Sequence, residues 1–162
     1  MRRRALTTRS NSAERLELEV TYATRRPWAP TPRQFARWAQ AALSALAQPA
    51  ALSVRVVGAA RSRSLNRHYR DKDKPTNVLS FAGAGLSPEG RLYLGELVIC
   101  APVVAREARD QAKAPAAHWA HMTVHGVLHL LGYDHERISE ARKMASMEGQ
   151  ILDRLGFLNP YS

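Results

Sequence analysis

The run His125-Gly126-Val127-Leu128-His129-Leu130-Leu131-Gly132-Tyr133-Asp134-His135 constrains this chain more than any other segment. His125 and His129 are four residues apart. On a helix that spacing puts both side chains on one face, about 5–6 Å apart at Cβ. Gly132 can take the left-handed conformation that ends a helix. The chain can then reverse and bring His135 back to the point the first two histidines face. The spacing predicts a helix that stops near Gly132 beside a returning segment.

Two imidazoles so placed can grip one metal ion, with Zn–N distances of about 2.0–2.1 Å. His125, His129 and His135 as three neutral ligands leave the fourth tetrahedral position open, as in catalytic rather than structural zinc sites. An open zinc brings the pKa of its water to about 7. Three histidines also suit nickel, copper or iron. The spacing matches the HExxHxxGxxH pattern of metzincin proteases, with one departure. The position of the glutamate that acts there as general base is Gly126 here. Peptide hydrolysis is thereby disfavoured. Asp134 and Glu96 are the candidate carboxylates for proton transfer. Asp134 reads more readily as a group that orients a ligand histidine or caps the next helix. His118 and His121, about two turns and one turn earlier, either line the cleft or are satisfied polar histidines.

The rest of the 162 residues reads as one α+β domain, residues 15–162, with a four-stranded mixed sheet and about five helices. Leu16 to Tyr22 alternates apolar and polar residues, as do Leu52, Val54 and Val56; both patterns predict strands. Asn77–Phe81 and Leu92–Cys100 complete the sheet. Thr31-Pro32 predicts a helix start, with Phe35, Trp38, Ala39, Ala42 and Leu46 on its apolar face. Ser62 is a candidate cap for a short helix carrying Leu65 and Tyr69. Pro102 and Pro115 open two further helices, and Met144, Met147, Ile151 and Leu155 mark a last one from about Ser139. Trp119, Met122 and Leu128 read as core. A single cysteine, Cys100, excludes an internal disulfide and a zinc finger or ribbon, and no disulfide-linked partner is expected. No apolar run approaches the roughly 20 residues of a membrane helix, so no membrane partner is expected. Met1-Arg2-Arg3-Arg4 leads into no apolar core, so it does not read as a secretory signal. Residues 1–14 read as a flexible basic arm, and the expected location is the cytoplasm.

The net charge of +10 comes with 20 arginines and 4 lysines. Six cations fall between Arg61 and Lys74: Arg61, Arg63, Arg67, Arg70, Lys72 and Lys74. Asp71 and Asp73 oppose them, and His68 and Tyr69 are interleaved, which suits base stacking beside phosphate contacts. Arg61 and Arg63 read as a solvated helix face. Arg70 precedes the Pro75-Thr76-Asn77 turn into a strand, so its position should be fixed. A fixed arginine beside a metal can clamp a phosphate and stabilise its developing charge. Glu96 interrupts an apolar strand, so it either pairs with an arginine or lines the cleft.

At these residues the chain resembles the YbeY family of zinc-dependent endoribonucleases, also called rRNA maturation factors. The histidine run carries the resemblance. So do Leu65-Asn66 and Tyr69-Arg70 with Lys72-Asp73 and Pro75 to Phe81, Gly95 to Cys100, and His118-Trp119-Ala120-His121. The family often has Asp where this chain has Glu96, and Pro where it has Ala82. The resemblance implies one zinc per chain on His125, His129 and His135, and a functional Arg70. It implies cleavage of single-stranded RNA in 16S rRNA 3′-end maturation, a place in small-subunit assembly and ribosome quality control, and the small ribosomal subunit as partner. Two other functions fit the residues. One is a non-catalytic assembly factor whose metal shapes an RNA- or protein-binding cleft; the other is a metal-dependent hydrolase of another substrate.

Overall fold

The computed structural model describes residues 4–8, 16–134 and 136–161. Among them lie five strands and five helices: β1 (Arg4–Thr8), β2 (Leu16–Tyr22), α1 (Pro32–Ala42), β3 (Ala50–Val57), α2 (Ala59–Arg70), β4 (Val78–Ala82), β5 (Leu92–Cys100), α3 (Ala101–Asp110), α4 (Pro115–Leu130) and α5 (Ile138–Arg154). The sheet runs β1-β2-β3-β5-β4. β2, β3 and β5 are mutually parallel neighbours, while β1 and β4 run antiparallel at the two edges. The four strands expected from the sequence are β2 to β5, and the α+β class holds.

β1 is the addition. The flexible-arm reading gives way over Arg4–Thr8, which pairs in register with Tyr22 to Leu18. A strand edge leaves a row of unpaired N–H and C=O groups, and Leu6-Thr7-Thr8 is a sequence suited to cover it. Residues 1–3 and 9–15 lie outside the described residues.

Local chemistry explains the helix starts. Thr31 and Gln34 form a reciprocal capping box ahead of Pro32 at α1. α2 begins earlier than its expected cap, with Gly58 at the cap position and Ser62 inside the helix. Ser62 is buried there for another purpose. Its hydroxyl donates to Thr76 O (3.0 Å) and accepts from Thr76 N (2.9 Å), pinning the loop between α2 and β4.

Strand alternation divides the core. On one face, Leu18, Val20, Leu52, Val54, Leu97 and Ile99 meet α1, α4 and α5. On the other, Leu79, Val98 and Val57 meet Leu65 of α2 and Phe81. α4 is central to the first layer and packs against α1, α3, α5, β4 and β5. Trp119, Met122 and Leu128 on it are buried, as expected. No helix among the described residues is long and apolar enough to cross a membrane.

Candidate metal centre

α4 carries four histidines, and its packing sorts them. His118 and His121 are buried in its first half, whereas His125 and His129 reach the partly exposed end. There the Nε2 atoms of His125 and His129 face each other at 3.1 Å. Ligands about 2.0–2.1 Å from one tetrahedral ion stand about 3.3 Å apart. The two nitrogens are therefore spaced to share one cation.

A carboxylate fixes which nitrogen of His125 can serve as a ligand. Nδ1 of His125 donates to Oε1 of Glu148 on α5, which leaves the Nε2 lone pair directed toward His129. Metal-bound histidines are held in this way by an acceptor on the opposite ring nitrogen. Glu148 is 1% exposed. Its second oxygen accepts from His121 Nε2 at 3.0 Å and from the Tyr161 hydroxyl at 2.5 Å. Burial pushes this carboxyl upward, but the hydrogen bonds from His121, His125 and Tyr161 outweigh it and bring it down to about 2. Burial and then Glu148 raise the Tyr161 phenol, which stays protonated as a donor.

The network continues away from the site. Lys113 Nζ lies 3.4 Å from Nδ1 of both His118 and His121. His118 Nε2 donates to Glu107 Oε1 at 2.9 Å. The Lys113 ammonium donates to the two Nδ1 atoms, which leaves the Nε2 side of each ring to its carboxylate. Burial lowers the Lys113 ammonium pKa and, despite Glu107, that of His118. Of the two readings for His118 and His121, the structure selects satisfied buried histidines.

The helix ends as the spacing requires. Gly132 has φ +97°, Gly132 N donates to His129 O (3.0 Å) and Tyr133 N to Leu128 O (3.1 Å), a left-handed stop of the Schellman kind. Beyond it, Asp134 Oδ1 accepts from Glu136 N at 3.2 Å, so it shapes the turn; Arg137, not Asp134, is the cap residue of α5. His135 lies outside the described residues, so two of the three expected ligands are placed.

Gly126 explains the missing glutamate. A Cβ at this position would lie 2.8 Å from Leu97 Cδ2 and 3.3 Å from Ser80 Oγ. The Ser80 hydroxyl donates to Gly126 O at 3.2 Å. The position faces the sheet, and α4 sits so close to β5 and β4 that a side chain there would have to displace Leu97. A glutamate at 126 would have to push into Leu97 and Ser80 and would point at the sheet, which disfavours a protease-type base on this helix face.

Two other candidates lie apart from the histidines. Glu96 pairs with Arg55 at 2.8 Å. Neighbouring Leu97 packs on the α4 side, so by strand alternation Glu96 points to the opposite face. This removes it as a proton-transfer group and settles its role as an ion-pair partner. Arg70 is exposed at the last residue of α2 and makes no hydrogen bond or ion pair among the described residues. Tyr69 beside it packs on Phe81 of β4, and Phe81 and Ser80 point to opposite faces. Tyr69 thus stands across edge strand β4 from the histidine helix, with Arg70 next to it in the chain.

Sequence reasoning missed Glu107, Lys113, Glu148 and Tyr161. One signal was present. Glu148 lies four residues after Met144 and three before Ile151, on the apolar stripe of α5. A carboxylate at a core position demands donors.

Comparison with known proteins shows the family. The family model described as Endoribonuclease YbeY matches residues 13–156. The Endoribonuclease YbeY of Alkalilimnicola ehrlichii is 54% identical over 162 residues, covering 96% of this chain and 97% of that protein. That of Stenotrophomonas maltophilia strain K279a is 53% identical over 153 residues, covering 91% and 94%. The solution structure of TM1509 from Thermotoga maritima shares the fold, with a TM-score of 0.59 at 20% identity over 85% of this chain and 88% of that one. By the span of the family match and the identity to these relatives, the chain belongs to the YbeY endoribonuclease family.

Proposed function

We propose that this protein is a metal-dependent, single-strand-specific endoribonuclease that acts in 16S rRNA 3′-end maturation, small-subunit assembly and ribosome quality control in the cytoplasm. The observation that carries the reading is the facing pair of Nε2 atoms on His125 and His129, 3.1 Å apart, with Glu148 clamping the far side of His125. His125, His129 and His135 would hold one divalent cation, zinc by preference. Such an ion supplies Lewis acidity toward a phosphate oxygen and a nucleophile at neutral pH.

The chain's own residues supply the remainder. Glu148 keeps His125 in the tautomer whose Nε2 can bind. Arg70 would hold the scissile phosphate and neutralise its developing charge, with Arg67, Lys72 and Lys74 along the backbone. All four are exposed, as a phosphate-tracking surface requires, and binding should weaken steeply with added salt. Members of the family to which the chain belongs carry the name endoribonuclease, which supports RNA as substrate.

The test is cleavage of a labelled single-stranded fragment of the rRNA 3′ end by zinc-loaded protein. A His125→Ala protein taken through identical purification controls for contaminating nuclease. Cleavage by wild type alone is the expected result. Equal cleavage by both, or by neither, would favour the assembly-factor reading. That reading has one observation on its side: Tyr69, next to Arg70, packs on the face of β4 opposite to Ser80, which bonds to the histidine helix. Arg70→Ala should abolish turnover with metal retained.

A further inference from the structure

Tyr69 stands one residue before the end of α2, and 60% of its surface is exposed. It is nevertheless held. Its ring meets Phe81 at a centroid distance of 5.0 Å and an angle of 68°, and His68 at 4.6 Å and 87°. Edge contacts of this kind orient a ring without covering it. The backbone below is also tied down. Asp71 closes the helix in the left-handed conformation, and Asn66 Nδ2 donates to Lys74 O at 2.8 Å. The apolar cluster under α2 is filled by Leu65, Phe81 and the strand residues, so core packing does not account for Tyr69.

The exposed charge at this end of α2 and in the following loop is mostly positive. Arg67, Arg70, Lys72 and Lys74 are exposed. Arg63 binds Asp73 through two hydrogen bonds of 2.8 and 2.9 Å, which leaves Asp71 as the acid not engaged by Arg63 in this stretch. A rigid, open aromatic ring among cations matches the needs of a single strand, whose bases stack on side-chain rings while its phosphates follow positive charge. A duplex keeps its bases stacked within itself and offers mainly phosphates. The neighbour of Phe81, Ser80, bonds to Gly126 between the two histidines, so the ring stands over the edge strand that borders the metal centre.

We propose that Tyr69 is a stacking platform for a nucleobase of single-stranded RNA, with Arg67 and Arg70 on the flanking phosphates. The inference rests on the endoribonuclease reading and assigns that reading's single-strand preference to one residue. The experiment is fluorescence-anisotropy binding of a labelled 12-nucleotide RNA, single-stranded or annealed to its complement, to the full chain in chelator so that cleavage does not intervene. Tyr69→Leu keeps apolar bulk and removes the ring face; Tyr69→Phe keeps the face. Stacking predicts that Leu weakens single-strand binding roughly five- to hundredfold, that Phe stays within about twofold of wild type, and that duplex binding is unchanged in both. Equal losses for single strand and duplex, or Tyr69→Leu within twofold of wild type, would overturn the proposal and assign the ring to packing or to a protein partner. A 2-aminopurine probe gives a second readout, since quenching on binding should survive in Phe and vanish in Leu. Failure of the endoribonuclease reading would appear separately, as intact binding without cleavage by metal-loaded wild type.

Discussion

The two halves of α4 carry the same residue at nearly the same spacing and do different things with it. In the first half, His118 and His121 are buried and each ring nitrogen has a partner: Glu107, Glu148 or Lys113. In the second half, His125 spends only Nδ1 on a carboxylate and turns Nε2 toward His129. Histidine spacing alone does not distinguish a ligand from a structural residue. Exposure and the supply of neighbouring acceptors do. Glu148 joins the halves, with one oxygen on each.

That shared carboxylate is the place to break the comparison. Glu148→Ala leaves His121, His125 and Tyr161 facing an empty buried position, and should cost about 3–5 kcal/mol in urea unfolding. Glu148→Gln is the sharper variant. It keeps the volume but can no longer accept equally from both halves, and metal affinity by chelator competition should drop about 10–100-fold. Unchanged affinity in a folded Gln variant would mean that His125 needs no such support.

His118→Ala acts on the other half alone. It removes one partner each from Glu107, which keeps Asn77, and Lys113, which keeps His121, and should cost about 1–3 kcal/mol while a folded sample still binds one metal per chain. Gly126→Ala forces a methyl against Leu97, for about 1–3 kcal/mol of overpacking, again with metal retained. The smallest effect is on pH dependence. Burial holds His118 below the usual histidine range. As pH falls below about 6.5, the unfolded chain takes up a proton there that the folded chain resists. Its contribution to stability is complete above that pH and declines below it. Urea midpoints should fall between pH 7.5 and 5.5 more steeply for wild type than for His118→Asn; parallel slopes would count against the buried, neutral assignment.

Strand alternation and the proline and glycine signals make most elements legible in the sequence. β5 runs from Leu92 to Cys100, the span its apolar run predicts, and α4 stops ahead of Gly132. Ser62 misleads because a serine near a helix start and a serine pinning a distant loop look alike in sequence. Arg4–Thr8 misleads because its basic neighbours suggest an arm, while an open edge on β2 exists only once the sheet forms. The histidine pair is legible because both residues lie on one helix. Its support is not, since Glu107, Lys113, Glu148 and Tyr161 come from four separate segments that tertiary packing brings together. Gly126 reads in sequence as a missing base; only the 2.8 Å approach to Leu97 shows that a side chain there would crowd the sheet.

The most direct test of the account is metal stoichiometry across α4. Wild type, His118→Asn and His129→Ala would be loaded with zinc, dialysed and assayed for metal per folded chain, with circular dichroism to establish folding. The account predicts about one equivalent for wild type and for His118→Asn, and none for His129→Ala. Metal retained by His129→Ala, or lost from a folded His118→Asn, would contradict the assignment of the site to the exposed end of the helix.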